Sequence, residues 1–158
     1  MTTTTTTTIS REIEDEKEEY LVRCHCRRVQ AKFRCNRQKV IAWDCNCSDC
    51  AMRRNTHIII PGQDFSTAIM GESLEEATIL YQWGTNIAKR FFCKTCGILP
   101  WYHPRSNPDG VAVTLHCIDW GKHDGSTKTR PEIEIKTYDG IHWEESFAKS
   151  KISEQSKV

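Results

Sequence analysis

The sequence predicts a mostly β fold with short strands, long connections and a short C-terminal helix. Segments 29–35 and 111–117 alternate apolar and polar residues with the period of a strand that is buried on one face. Helical patterns are few. Ser73 with Glu76 three residues on predicts one capped helical turn, and Trp143 and Phe147, one turn apart, predict a closing helix.

The predicted strands are separated by turn residues such as Pro61-Gly62. In chain order they are 29–35, 40–44, 57–60, 65–70, 78–83, 88–92, 111–117 and 132–137. Cys35 falls on the apolar side of the first of these, so we expect it to be a small buried hydrophobe rather than a metal ligand. Segment 99–110 contains three prolines and is expected to form a stiff loop.

We expect one domain between two tails. Residues 1–19 combine a run of threonines with many acidic side chains, a composition that predicts a disordered tail. The folded domain is expected to extend over residues 20–148, and residues 149–158 are expected to form a flexible tail.

Charge and hydropathy exclude several classes of function. The formal net charge is +1, which provides no strong field to attract nucleic acid or an anionic membrane. No apolar run approaches the roughly 20 residues that a membrane span needs. No apolar segment of a secretory signal follows Met1. We therefore expect an intracellular protein of the cytoplasm or nucleus, not a secreted one, and the oligomeric state remains open.

Seven of the nine cysteines are clustered, and this clustering predicts metal binding. Closely spaced intracellular thiols usually hold a metal, and the odd number of cysteines disfavours a disulfide scaffold. The clustered residues are Cys24, Cys26, Cys45, Cys47, Cys50, Cys93 and Cys96. Seven thiols divide into a closed set of four, typical of structural zinc, and an open set of three, which leaves a coordination position for water or substrate.

Spacing alone leaves the pairing of these cysteines open. Cys93-x-x-Cys96 followed by Gly97 fits a zinc knuckle, because glycine allows the backbone to turn beneath the metal. The Cys24/Cys26 pair could complete a four-thiol site with this knuckle. It could equally join two thiols of the middle group and leave a different remainder.

A resemblance to one family rests on three cysteine motifs: Cys24-His-Cys26, Asp44-Cys-Asn-Cys-Ser-Asp-Cys50 and Phe92-Cys-Lys-Thr-Cys-Gly97. These motifs resemble those of the family of the glutathione-dependent formaldehyde-activating enzyme and centromere protein V. Segments 102–110, 116–119 and 138–143 are similar to the centromere protein V branch in particular. The resemblance covers roughly residues 20 to 147 and implies a β-tent fold, a compact, mostly β zinc scaffold.

The resemblance also implies how the thiols divide between two zinc ions per chain. The structural zinc would fall on Cys24, Cys26, Cys93 and Cys96, and the catalytic zinc on Cys45, Cys47 and Cys50. The family commonly has glycine after the first C-x-C, where this chain has Arg27. This departure leaves the thiols intact and concerns the substrate channel near that turn.

The activity implied by the resemblance is condensation of glutathione with formaldehyde to S-hydroxymethylglutathione, classed in reverse as a carbon–sulfur lyase. Zinc with an open position would lower the pKa of the incoming thiol and, second, polarise the aldehyde oxygen. Arg54 and Arg105 are expected to bind the carboxylates of this thiol substrate. They come from a wider set of candidate cations: Arg53, Arg54, Lys89, Arg90 and Arg105.

A non-catalytic alternative remains open at this point. In it, both zinc ions are structural and a surface of the domain contacts another protein, chromatin or the cytoskeleton, as the centromere protein V branch implies. The two functions differ in whether the 45–50 thiols find a fourth protein ligand, for which His57 and Cys35 are the candidates. The acidic tail, in place of the basic extension of a chromatin-attached form, favours the enzyme.

Overall fold

The computed structural model describes residues 16–121 and 125–157, and these fold mainly into two β-sheets. The strands are β1 Lys17–Arg23, β2 Gln30–Asn36, β3 Lys39–Cys45, β4 Thr56–Pro61, β5 Phe65–Thr67, β6 Thr78–Tyr81, β7 Lys89–Cys93, β8 Trp101–His103, β9 Gly110–Thr114, β10 Ile118–Asp119 and β11 Glu132–Tyr138. The α-helices are α1 Ser48–Arg53, α2 Leu74–Ala77 and α3 Trp143–Ser150. Short 3-10 helices cover Gly62–Asp64, Leu115–Cys117 and Ile152–Ser156. The predicted mostly β fold with a short C-terminal helix is confirmed.

The smaller sheet has the strand order β10–β1–β2–β5, and the larger has the order β11–β3–β4–β9–β8–β7–β6. Neighbouring strands are antiparallel except for β11, which pairs with β3 in parallel and sets Tyr138 opposite Cys45. A parallel pair needs a long crossover connection. This pairing places the segment after β11, which is distant in sequence, next to the end of β3.

The inner faces of the two sheets pack against each other to form the main core. Alternate residues of β2 point inward, as its period predicts, and Phe33 is almost fully buried. The ring of Phe65 on the smaller sheet meets Trp101 on the larger sheet edge to face, with centroids 5.3 Å apart. Cys35 is 6% exposed within this core, which confirms its predicted role as a small hydrophobe.

The local signals for turns and caps correspond to the structure. Ser73 accepts a hydrogen bond from the backbone N–H of Glu76, whose carboxylate accepts one from the N–H of Ser73, so the capping box is confirmed. Strands β6 and β7 form a hairpin whose turn contains Gly84 and Asn86 at positive φ. In the described part of the chain, no helix is both long and apolar enough to cross a lipid bilayer.

The predicted loop 99–110 differs from the structure because it contains strand β8. Trp101 and Tyr102 are buried at 1% and 4% exposure, and β8 pairs with both β7 and β9. Burying two large aromatic side chains favours a central strand more strongly than the flanking prolines favour a loop. The predicted strand 111–117 is correspondingly shorter, since a 3-10 helix begins at Leu115.

The N-terminal boundary also differs from the predicted one. Strand β1 begins at Lys17, within the segment 1–19 predicted to be a tail, because it continues the pairing with β2 as far as Asn36. Residues 1–15 of that segment lie outside the described residues.

Residues 149–157 are docked on the domain, where a flexible tail 149–158 was predicted; Val158 lies outside the described residues. Ile152 is 2% exposed and packs in a second core cluster with Trp43. The Nδ2 atom of the fully buried Asn107 donates to the Ile152 carbonyl at 2.9 Å, and Trp43 Nε1 donates to Gln155 Oε1 at 2.9 Å. These contacts immobilise the last turn against β3 and the loop after β8.

We expect Ile152→Ala to lower the free energy of unfolding by about 2–4 kcal/mol, because it removes a fully buried aliphatic side chain and leaves a cavity. Urea denaturation followed by tryptophan fluorescence measures this change. Glu154→Ala, at an exposed position of the same 3-10 helix, is the control and should change stability little. Equal stability of the Ile152→Ala variant and the wild type would show that this segment is not docked in solution.

Candidate metal centre

Four thiols from two separate turns converge into one group. The turn between β1 and β2 supplies Cys24 and Cys26, and the end of β7 and the turn after it supply Cys93 and Cys96. Their sulfur atoms all lie within 4.8 Å of one another, and Cys26 Sγ lies 3.6 Å from Cys24 Sγ and 3.5 Å from Cys93 Sγ. Tetrahedral metal–thiolate bonds of about 2.3 Å require sulfur separations of about 3.8 Å. The four-thiol group therefore fits a closed tetrahedral site.

Both turns of the four-thiol group contain a residue with left-handed backbone. Gly97 has φ 73°, as expected for a knuckle, and its N–H donates to the Cys93 carbonyl at 2.9 Å. Arg27 has φ 67° at the position where the resembling family commonly has glycine. A left-handed conformation costs a residue with a Cβ roughly 1 kcal/mol, which is a physical reason to prefer glycine there. Arg27 lies outside the cavity described below.

Three further thiols form the second group, at the junction of β3 and α1. Cys45 ends β3, Cys47 is the N-cap residue of α1, and Cys50 is buried in its first turn. Their sulfur atoms also lie within 4.8 Å of one another. The sulfur of Cys45 accepts a hydrogen bond from the N–H of Cys47 at 3.5 Å, and the sulfur of Cys47 accepts one from the N–H of Cys50 at 3.4 Å.

The crowding of the three-thiol group separates the pKa values of its members. Hydrogen bonds from the thiols of Cys45 and Cys50, followed by backbone N–H donors, lower the pKa of Cys47 to about 2. The hydrogen bond to Cys47 in turn raises the pKa of Cys45, and that of Cys50 is raised by both neighbours. One thiolate is thus stabilised at the expense of the other two. A bound cation would remove this competition and allow all three sulfurs to ionise.

The segment after β11 crosses directly over the three-thiol group. Asn46 Nδ2 donates to Asp139 Oδ1 at 2.9 Å, and the N–H of Ile141 donates to Asn46 Oδ1 at 3.2 Å. A Cβ placed on Gly140 would lie 2.6 Å from Cys45 Sγ. Only glycine therefore allows this approach. Reasoning from the sequence did not identify Gly140 as a site residue, although it lies within the family-like segment 138–143.

The three-thiol group opens into a cavity of about 240 Å³. Beside the thiols, its walls include His57, Trp83, Arg90, Tyr102, Arg105, Tyr138 and Trp143. The Tyr102 hydroxyl lies 3.3 Å from the imidazole nitrogens of His57, and burial lowers the pKa of His57 to about 4. His57 is thus neutral at neutral pH. Burial also raises the pKa of Tyr102, which keeps its hydroxyl protonated.

Neither candidate for a fourth protein ligand completes the three-thiol group. His57 lines the cavity but is not among the residues whose ligand atoms share the 4.8 Å cluster, and Cys35 lies on β2 in the other sheet. Among residues 16–121 and 125–157, no other His, Cys, Asp or Glu joins the three thiols. The described chain therefore leaves this group with three protein ligands and an opening to the cavity.

The five candidate cations occupy different places around the thiols. Arg90 and Arg105 line the cavity, whereas Arg53 and Arg54 line a second groove, which also touches Cys45 and Cys50. Lys89 is exposed on β7 and lines neither of these two. Arg105 is paired with Glu144 at 2.6 Å and lies over the ring of Trp143, with its Cζ atom 3.6 Å from the centroid. The structure does not bring Arg54 and Arg105 together in one pocket.

The fold and the two thiol groups define a mostly β protein with two candidate metal sites, of which one is open to a cavity. The family model described as glutathione-dependent formaldehyde-activating enzyme matches residues 19–139. The chain belongs to this family, which confirms the family predicted from its cysteine motifs. Its assignment to the centromere protein V branch stays a prediction.

A solved structure has a similar fold. The crystal structure of a Rhodobacter sphaeroides protein, from a structural genomics project, is 26% identical and superposes with a TM-score of 0.54. The match covers 70% of this chain and 97% of that chain. The match therefore extends over nearly the whole of that protein.

We expect Gly140→Ala to abolish metal binding by the three-thiol group and to preserve it at the four-thiol group, because the new methyl group would displace Cys45 Sγ. The metal content per chain, measured by atomic emission after metal loading and desalting, should fall by about half. Ile141→Ala, which removes an exposed side chain at the next position, is the control. Full metal content in the Gly140→Ala variant would show that the crossing segment does not constrain the site.

Proposed function

We propose that the protein is a zinc enzyme that binds glutathione, or a related thiol, together with its aldehyde adduct, and that it acts as an S-hydroxymethylglutathione synthase of the carbon–sulfur lyase type. The observation that carries this proposal is the opening of the three-thiol group, which has no fourth ligand among the described residues, into a cavity. A fourth protein ligand would have favoured the non-catalytic alternative. Membership of a family of formaldehyde-activating enzymes supports the same conclusion.

Zinc is the metal that the two donor sets fit best. Soft thiolate ligands select zinc over magnesium, calcium or manganese, which prefer oxygen. In this proposal Cys24, Cys26, Cys93 and Cys96 hold a structural ion, and Cys45, Cys47 and Cys50 hold a catalytic ion. A closed four-thiolate set adds folding energy, whereas three protein ligands leave a position for substrate.

A zinc ion held by the three thiols would lower the pKa of an incoming thiol, supply a nucleophilic sulfur at neutral pH and, secondarily, polarise the aldehyde oxygen. The condensation forms one carbon–sulfur bond and moves one proton from the thiol to the aldehyde oxygen, so it needs no redox partner. The Tyr102 hydroxyl and the neutral His57 are buried proton-bearing groups in the wall of the cavity. They provide hydrogen bonds for a substrate oxygen without adding charge.

The size of the cavity fits the reacting end of the substrate rather than the whole tripeptide. Ligand pockets that enclose a drug-sized molecule usually measure about 300 Å³ or more, and this cavity measures about 240 Å³. The thiol, the aldehyde carbon and the nearer part of the tripeptide would be enclosed, and the rest of glutathione would extend toward the opening. Arg105, whose side chain is 28% exposed and already oriented by Trp143, is proposed to bind a carboxylate there.

We expect Cys47→Ser to lose the metal of the three-thiol group and, with it, glutathione binding, since the thiol site would no longer exist. Metal content and calorimetric titration with glutathione measure both effects, and exchange NMR of glutathione with formaldehyde reports the catalysed adduct formation. Cys117→Ser, at a thiol outside both groups, is the control and should leave all three readouts unchanged. Two zinc ions without glutathione binding in the wild type would contradict the proposed function and leave a zinc-stabilised binding module.

We expect Arg105→Ala to weaken glutathione binding by about two- to five-fold, because it removes a partly exposed cation from the cavity. Arg54→Ala should leave the affinity unchanged if the substrate enters this cavity rather than the second groove. Calorimetric titration of the two variants in parallel measures the difference. The opposite pattern would place the substrate in the groove beside Arg54.

A further inference from the structure

Arg90 is buried in the wall of the cavity with part of its guanidinium unpartnered. It is 6% exposed, and its Nε donates to the carboxylate of Asp49. Its Nη1 atom is buried and has no hydrogen-bond partner in the described part of the chain. Buried donors of a charged group are nearly always paired, because desolvation is otherwise uncompensated. Arg90 thus has hydrogen-bonding capacity that its pairing with Asp49 does not use.

The guanidinium of Arg90 is held in a fixed position. Its Cζ atom lies 5.5 Å from the ring centroid of Trp83 and 5.5 Å from that of Tyr102, its cross-strand neighbour on β8. The bond to Asp49 ties it to α1, the helix that contains Cys50. A cation fixed by aromatic contacts and a carboxylate is ordered before any ligand arrives, so little entropy is lost on binding.

Asp49 does not pair with Arg90 alone. The carboxylate of Asp49 also accepts two hydrogen bonds from Arg53, at 3.0 and 2.5 Å, so one carboxylate serves two guanidinium groups. Of the two arginines, only Arg90 lines the cavity. Among these three side chains, the one carboxylate offsets one of the two guanidinium charges, and Arg90 is the guanidinium that borders the cavity.

We propose that Arg90 binds a carboxylate of the thiol substrate, so that the site selects thiols that bear a carboxylate close to their sulfur. This inference rests on the proposed function of the three-thiol group as a thiol site. The cavity measures about 240 Å³, which is too small to enclose the whole tripeptide. Of the two carboxylates of glutathione, that of glycine is separated from the sulfur by fewer bonds. Arg90 would bind this carboxylate while the sulfur of glutathione lies at the three-thiol group.

A competing role for Arg90 is to balance the negative charge of three metal-bound thiolates. In that role, loss of Arg90 would weaken metal retention, and the affinity for every thiol ligand would fall alike. The carboxylate role instead affects only ligands with the carboxylate. The two roles therefore separate when carboxylate-bearing and carboxylate-free thiols are compared on metal-loaded protein.

The experiment titrates zinc-loaded protein with three thiols: glutathione, glutathione esterified at its glycine carboxylate, and 2-mercaptoethanol. We expect the wild type to bind glutathione about tenfold more tightly than the ester. Arg90→Met should bind both with the affinity that the wild type has for the ester, and its metal content and 2-mercaptoethanol affinity should be unchanged. Arg53→Met removes the other guanidinium from Asp49 outside the cavity, and it should keep the preference for glutathione.

Equal affinity of the wild type for glutathione and its ester would overturn the inference, and this comparison needs no variant to fold. Loss of metal from Arg90→Met, or equal weakening of 2-mercaptoethanol, would also overturn it in favour of charge balance. If no thiol binds the zinc-loaded wild type, 2-mercaptoethanol included, the proposed function itself fails. If 2-mercaptoethanol binds but glutathione and its ester bind equally well, only the proposed carboxylate site fails.

Discussion

The close approach of three cysteine sulfurs within 4.8 Å is the constraint on which the rest of the site depends. Thiolates repel one another, so such a group is stable with all three ionised only when a cation holds it. The chain accommodates the group by ending β3 at its first sulfur and starting α1 at its second. It then closes the group from above with Gly140, whose lack of a side chain permits the contact.

The two thiol groups differ in what surrounds them, and this difference matches the structural and chemical roles proposed for them. The four-thiol group joins the turn after β1 to the turn after β7, and thereby ties the smaller sheet to the larger one. The three-thiol group ties nothing across the sheets. It borders a wall built from the β6–β7 hairpin, β8 with the loop that follows it, and the start of α3. These elements bring aromatic rings and two arginines to one cavity. Asp49 extends from α1 to Arg90 on β7 and fixes the distance between the thiols and this wall.

The sequence predicted those features that local patterns encode. Alternation predicted β2, the capping box predicted α2, and the spacing of thiols predicted metal binding. Contacts between distant segments were not predictable in the same way. Gly140 meets Cys45 across the parallel β3–β11 pair, and no local pattern marks a glycine that is needed for a contact 95 residues away. Likewise, the sequence does not distinguish Arg54 from Arg90. Only the tertiary structure shows that Arg90 is the one buried in the wall of the cavity.

Burial also explains where the predicted boundaries were wrong. Ile152 is a single apolar residue in a polar segment, and its burial depends on a pocket formed by Trp43 and by the loop that contains Asn107. Proline spacing predicted a loop where two aromatic residues instead complete the larger sheet as β8. In both places, the free energy gained by burying a large side chain exceeded the weak local preference that the sequence expresses.

The division of the cysteines along the chain has a consequence for synthesis. Five of the seven clustered thiols, from Cys24 to Cys50, leave the ribosome before Cys93 and Cys96. During that interval Cys24 and Cys26 could share a metal with two thiols of the 45–50 group, because Cys93 and Cys96 have not yet been made. A metal bound in that way would have to be transferred to the four-thiol group once Cys93 and Cys96 emerge. The timing of metal supply relative to the synthesis of Cys93 and Cys96 would therefore determine which thiols hold the metal first.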